Sequence, residues 1–249
     1  MNPYLEMVKK AQAQYAVSEK PKVEKLEDFD LGGVDCPICH NTGVLLYRKD
    51  GNEYAKECEC MSKRRSMRRI RNSGMEDMIR RYTFEAYEAS DTTRQKVKEL
   101  AETYCESDRG WFFIAGKSGS GKTHICTAIC SRLIQQGNDL YYMEWRDESR
   151  QLKAMMNTEE LDERLDRLKK VKALYIDDFL KGGCNDADIR LAFEIINARY
   201  NDTRLRTIIS TEASIETILN IDEALGSRIK ERSRGFIVKA PKENFRLRE

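Results

Sequence analysis

The chain has 249 residues, with 44 Lys or Arg against 42 Asp or Glu, a formal net charge of +2. Hydrophobic residues are 40% and charged residues 35%, enough for a packed core and above the usual quarter for charge. No run of 18 apolar residues exists, which excludes a membrane-spanning helix. The first residues lack the basic-then-apolar order of a secretory leader, so the expected location is cytoplasmic. Residues 1–90 hold 16 basic and 15 acidic side chains and the rest 28 and 27, so any attraction to nucleic acid must come from local patches.

Residues 1–30 are polar and charged, with Leu5, Val8 and Gln12 at the spacing of one helix side. They read as a helical arm that docks on a partner or as a tail. Four of the eight cysteines follow within 25 residues. In a cytosolic chain such clustering points to metal binding rather than a disulfide framework. Cys36-Pro37-Ile38-Cys39 and Cys58-Glu59-Cys60 suit a tetrahedral four-thiolate zinc site. The second pair is C-x-C rather than the commoner C-x-x-C. His40 is an alternative ligand, and a redox pair an alternative role. Residues 43–47 and 53–56 read as a hairpin turning at Asp50-Gly51. So short a module lacks core, and metal would supply its folding energy. Cys105, Cys126, Cys130 and Cys184 lack paired spacing and read as buried small apolar residues.

Lys63 to Arg71 holds six basic residues in nine and no acid. The run could contact nucleic-acid phosphates or an acidic partner, or form a solvated linker helix. Asp91 is an N-cap candidate for an amphipathic helix reaching about residue 106.

From residue 111 short apolar runs alternate with helical periods. Strands are expected at 111–115, 140–144, 173–176, 207–210 and 236–238. Helices are expected at 122–136, 147–170 as one or two, 186–200, 214–219 and 222–232. The alternation implies an α/β fold with a parallel sheet.

Gly116-Lys117-Ser118-Gly119-Ser120-Gly121-Lys122-Thr123 fits G-x-x-x-x-G-K-[ST] in full, which chance would place in about one chain in a hundred. A strand before it and a helix after it are the context that phosphate binding requires. Backbone N–H groups and the helix N-terminus would cradle the phosphates of ATP, with Lys122 as a point charge and the Thr123 hydroxyl on Mg²⁺. Ala173-Leu174-Tyr175-Ile176-Asp177-Asp178 is the matching strand. Asp177 would hold Mg²⁺, and Asp178 could polarise the attacking water. Ser210, Thr211 or Glu212, after the strand at 207–210, could orient that water. Arg228 could reach a neighbouring subunit's nucleotide, or be an ordinary surface arginine.

Together the cysteine pairs, the basic run, Tyr82-Thr83-Phe84-Glu85-Ala86-Tyr87, the Gly116–Thr123 loop with His124, Ile176-Asp177-Asp178-Phe179 and Gly226-Ser227-Arg228-Ile229 resemble the DnaC/DnaI-type replicative helicase loaders, in their phage and prophage form. The resemblance covers roughly residues 31–249 and extends to the related IstB-like ATPases. It implies an AAA+ ATPase domain that binds ATP with Mg²⁺ and hydrolyses it slowly. It also implies a replicative DnaB-type helicase as partner, single-stranded DNA as the loading target, and self-assembly. By motif position, Gly116 to Thr123 with His124 bind nucleotide, and Asp177 and Asp178 are the acidic pair. Thr211 takes the place of a water-sensing residue, Arg228 falls on the arginine-finger motif, and Cys36, Cys39, Cys58 and Cys60 match a zinc module. The implied organisation is an arm (1–30), a zinc module (31–62), a basic linker (63–90) and the ATPase domain (91–249), without the helical lid of larger AAA+ proteins.

Overall fold

The computed structural model describes residues 36–49, 52–72, 75–155, 158–182, 184–241 and 243. The expected arm, the hairpin turn at Asp50-Gly51 and the tail beyond residue 243 lie outside them. The chain divides into two compact units, Met1–Arg64 and Arg65–Glu249.

In the first unit, β1 (Val44–Lys49) pairs antiparallel with β2 (Asn52–Glu57), from Val44 opposite Glu57 to Lys49 opposite Asn52. The hairpin has almost no core. Val44, Leu46, Tyr47 and Tyr54 are exposed, and β2 is exposed throughout. Among the described residues the unit's buried apolar cluster consists of Cys36, Cys39, Cys58 and Cys60, with Leu45 and Met61 packed against them. Gly43 is held at φ 75°, the left-handed backbone that favours glycine, with the Met61 side chain packed over it. Helix α1 (Cys60–Asn72) starts at a cysteine, and the division between the units falls inside it. Arg64, although part of the basic run, is buried and donates to Asn41 O at 3.0 Å and Asn41 Oδ1 at 2.8 Å.

The second unit is a five-stranded parallel sheet in the order β4-β5-β6-β3-β7. These are β3 (Trp111–Ala115), β4 (Leu140–Glu144), β5 (Ala173–Asp177), β6 (Arg206–Thr211) and β7 (Ile237–Lys239). The helices are α2 (Glu76–Arg81), α3 (Thr92–Glu106), α4 (Lys122–Gln135), α5 (Trp145–Ala154), α6 (Glu159–Lys170), α7 (Asp186–Asn201), α8 (Ile215–Ile221) and α9 (Glu223–Arg232). Among the described residues no helix follows β7, and no helix is long and apolar enough to cross a membrane.

Strand β3 shows why both faces must be covered. Its five residues are all buried, and alternate side chains serve opposite layers. Phe112 and Ile114 join a core with α3 and α4, while Trp111, Phe113 and Ala115 join one with α7 and α9. The stretch expected as a linker helps fill the first of these cores through Ile70, Met75, Phe84 and Tyr87. Ser66 fastens α1 to the sheet by accepting from Leu140 N at 2.8 Å. Asp91 caps α3, accepting from Thr93 N at 2.8 Å and Arg94 N at 3.0 Å. The 147–170 segment is two helices, with Thr158 capping α6.

One fully buried cation ties this unit together. Arg199, in the last turn of α7, donates to Thr207 Oγ1 at 3.0 Å, Leu168 O at 2.9 Å, Val171 O at 2.9 Å and Arg206 O at 2.7 Å. Burial pushes its pKa down to about 9. Removing the guanidinium would leave buried acceptors on α6, β6 and the strand approaches unpaired. Arg199→Leu is expected to destabilise the protein by about 3 kcal/mol or more. Urea unfolding followed by circular dichroism measures this, and an unchanged midpoint would refute it.

Candidate functional site

The sheet order places the site. From β3 the chain leaves for β4 on the far edge, and ligands bind where connections diverge at the carboxyl ends of such strands. The loop Gly116–Gly121 sits there, and Gly119 (φ 75°) and Gly121 (φ 87°) take the left-handed backbone that turns it inward. Gly121 is the N-cap of α4 and offers no side chain, so the first N–H groups of a 14-residue helix face the loop without side-chain capping.

A cavity of about 480 Å³ opens on this loop, a size suited to a small-molecule ligand. Ser118 to His124 line one side, Tyr82, Ala86, Tyr87 and Glu88 another, and Asp178 and Lys181 a third. Lys122 is buried and folded back on its own loop, donating to Gly116 O at 2.8 Å and Lys117 O at 2.9 Å. Burial lowers its pKa, against the opposing pull of Asp178 and Glu212. The loop therefore presents helix N–H groups and one ammonium to the cavity, the donor set a polyphosphate needs.

His124 stacks on Tyr82 with centroids 4.8 Å apart and meets Tyr87 edge-on at 5.2 Å. Its Nε2 lies 2.9 Å from Thr83 O, and burial lowers its pKa, so it acts as a neutral donor there. His124 thus anchors the 82–88 segment beside the loop. That segment was legible only as part of a resemblance, and the structure makes it a wall of the cavity.

The acidic pair stands at the end of β5, with Asp178 on the cavity lining and Asp177 behind it in sequence rather than among the lining residues. Asp177 is buried at the end of β5, and its Oδ1 accepts from Tyr175 OH at 2.7 Å, Asp178 N at 3.1 Å and Ser210 Oγ. Tyr142 OH donates to Oδ2 at 3.3 Å. Three bonds crowd one oxygen and one reaches the other, so Oδ2 keeps acceptor capacity. A carboxylate so placed, together with Thr123 on the facing loop, fits Mg²⁺ on a bound nucleotide. Neither tyrosine was expected from the motifs, although Tyr175 stands two residues before Asp177 and so on the same strand face.

Asp178 sits at φ 52° and pairs with Lys181. Of the hydroxyls after β6, Ser210 is committed to Asp177. Thr211 is buried, donates to Phe179 O at 2.8 Å and accepts from Ala213 N at 3.1 Å. Glu212 pairs with Lys181 at 3.1 Å. Arg228 is absent from the cavity lining. It donates to Asn197 Oδ1 at 3.0 Å and Ala224 O at 2.8 Å, and lies over the rings of Phe193 and Tyr200 at 5.0 and 5.5 Å.

In the first unit the four cysteine sulfurs lie within 4.8 Å of one another, with Cys36 to Cys58 at 3.8 Å and Cys39 to Cys60 at 3.5 Å. Tetrahedral zinc with Zn–S near 2.3 Å demands S···S edges of about 3.8 Å. Gly43 N donates to Cys39 Sγ at 3.3 Å, the kind of bond that stabilises a metal-bound thiolate. His40 is exposed and is not in the cluster. All four cysteines are free and buried, so the donor set fits zinc.

Fold and site together define a P-loop nucleotide-binding protein of the AAA+ class. The chain belongs to the family of IstB-like ATP binding proteins, whose profile matches residues 54–249. It is similar to the uncharacterized protein YqaM of Bacillus subtilis, 27% identical and spanning 82% of each chain. It is also similar to the phage-like element PBSX protein XkdC of the same organism, 26% identical over 86% of this chain and 85% of XkdC. Similarity to the replicative helicase loader DnaC of Escherichia coli is 24% over 67% of this chain and 69% of DnaC. Among solved structures, DnaI superposes with a TM-score of 0.56 at 21% identity, over 68% of this chain and 93% of DnaI. AMPPCP-bound DnaA of Aquifex aeolicus gives 0.56 at 22% identity, over 67% of this chain and 52% of DnaA. At these identities both establish the fold.

Two outcomes are expected from the geometry. Lys122→Ala weakens ATP binding about tenfold or more, measured by calorimetry, because the loop loses its buried ammonium; unchanged affinity would remove Lys122 from the phosphate site. The purified protein carries about one zinc per chain, and Cys36→Ser with Cys39→Ser loses it, as elemental analysis would read.

Proposed function

We propose that the protein is an ATP-hydrolysing loader that places a replicative DnaB-type helicase on single-stranded DNA during replication initiation. The observation that carries this reading is the union, in one chain, of an ATP-binding fold with a four-cysteine module suited to docking on a partner. The similarity to E. coli DnaC over two thirds of both chains supports it.

In this reading the loop Gly116–Thr123 binds the phosphates, and Thr123 and Asp177 hold Mg²⁺, which offsets charge on the β- and γ-phosphates. Asp178 accepts a proton from the attacking water. Its carboxylate is one methylene shorter than a glutamate, in keeping with slow turnover. Arg228, parked against Phe193 and Asn197 of its own chain, completes a neighbour's site when subunits assemble. Thr211 acts indirectly, by fixing the turn that carries Asp178. The zinc module, residues 31–62, contacts the helicase. The basic run, in which Arg68 and Arg71 are exposed, contacts DNA or an acidic protein face. The location is cytoplasmic.

The family name itself favours a second reading, an IstB-like helper ATPase in transposition, which would bind duplex DNA and a transposase. Affinity capture from native lysate with ATP present separates the two: a hexameric helicase supports loading, and a transposase without helicase replaces it. Within either, Asp178→Asn is expected to keep ATP binding and lower turnover about 100-fold or more. Wild-type turnover in that variant would assign the base elsewhere.

A further inference from the structure

The turn after β5 has an unusual backbone. Asp178 (φ 52°), Leu180 (φ 58°) and Gly182 (φ 94°) are all left-handed within five residues. For Leu180 that conformation is costly and persists only when the surroundings enforce it. They do so here. Phe179 is fully buried with its ring edge-on to Trp145 at 4.9 Å. Its N–H donates to Ser210 O at 2.8 Å and its carbonyl accepts from Thr211 Oγ1 at 2.8 Å. Lys181 N then closes on Asp178 O at 3.0 Å.

This fixed turn aims one side chain. Lys181 Nζ lies 2.9 Å from Asp178 Oδ2 and 3.1 Å from Glu212 Oε1, and Lys181 lines the same cavity as Gly119, Lys122 and Thr123. Lys122 and Lys181 are the two lysines of that lining. Lys122 belongs to the phosphate loop, whereas Lys181 stands on the opposite wall beside the two carboxylates. A terminal phosphate entering there would meet the Asp178 carboxylate, and the Lys181 ammonium beside it is placed to relieve the like-charge contact.

The geometry points to Lys181 as the residue that tells a nucleoside triphosphate from a diphosphate. Without a terminal phosphate it clamps Asp178 and Glu212; with one it pairs with that phosphate, and Asp178 is released toward water. The strained turn keeps the ammonium within reach of both positions. Pairing with Asp178 and Glu212 raises the Lys181 pKa, so it stays charged throughout. The inference rests on the cavity being the ATP site.

The test compares affinities rather than turnover. Calorimetry on the full chain with Mg²⁺ would measure binding of ADP and of a non-hydrolysable ATP analogue to wild type, Lys181→Met and Lys181→Arg. Lys181→Met is expected to bind the triphosphate analogue about tenfold or more weakly and ADP within about threefold of wild type, the loss of one charge-assisted bond. Lys181→Arg should keep the wild-type preference. Equal losses for both nucleotides, or no loss for either, would overturn the assignment. A wild-type protein that binds neither nucleotide would instead remove the ATP site on which it rests.

Discussion

The second unit is organised around one carboxylate that has been taken out of water. A buried charge is tolerable only with partners around it, and Asp177 gathers Tyr175, Ser210, Tyr142 and the Asp178 amide. Each partner constrains its own element. Tyr142 fixes β4 beside β5, and Ser210 fixes the end of β6. The Asp178 amide reaches back to the same oxygen at 3.1 Å, at the residue where the chain turns left-handed. The phosphate loop then faces a wall whose positions are already set. Preorganisation of this kind confines the rearrangement on nucleotide binding to side chains such as Lys122 and Lys181.

The first unit solves the opposite problem. Its hairpin exposes most of its large side chains, so area burial alone cannot hold it. Four sulfurs at metal-bridging separations substitute for a core, with Arg64 tying the knuckle at Asn41 to α1. The two units thus differ in what they bury: a two-faced apolar sheet in one, a four-cysteine cluster that fits a metal in the other.

Motifs with fixed spacing were legible because their chemistry demands that spacing. The phosphate loop, the acidic strand end and the cysteine pairs fall where the sequence placed them, and the strands agree within a residue or two. What escaped has a common physical cause: it depends on side chains meeting across elements. The packing of Ile70, Met75 and Phe84 into the core from a charged stretch is one case. Arg199 reads as one basic residue among 44, and only the fold reveals its five acceptors. Thr211 was legible as a hydroxyl at a strand end, but not as a clasp on Phe179 O.

The edge-on contact between Trp145 and Phe179 has an optical consequence. The chain has two tryptophans, both buried. Trp111 opens β3 with the guanidinium of Arg232 5.7 Å from its ring, remote in sequence from the acidic turn. Trp145 shares its immediate surroundings with the ring one residue beyond Asp178. Any shift of that turn changes the polarity and quenching felt by a single indole, while the other serves as an internal standard. The fold has therefore placed an intrinsic fluorophore against the acidic turn, and stopped-flow emission can report a change of environment there without a label.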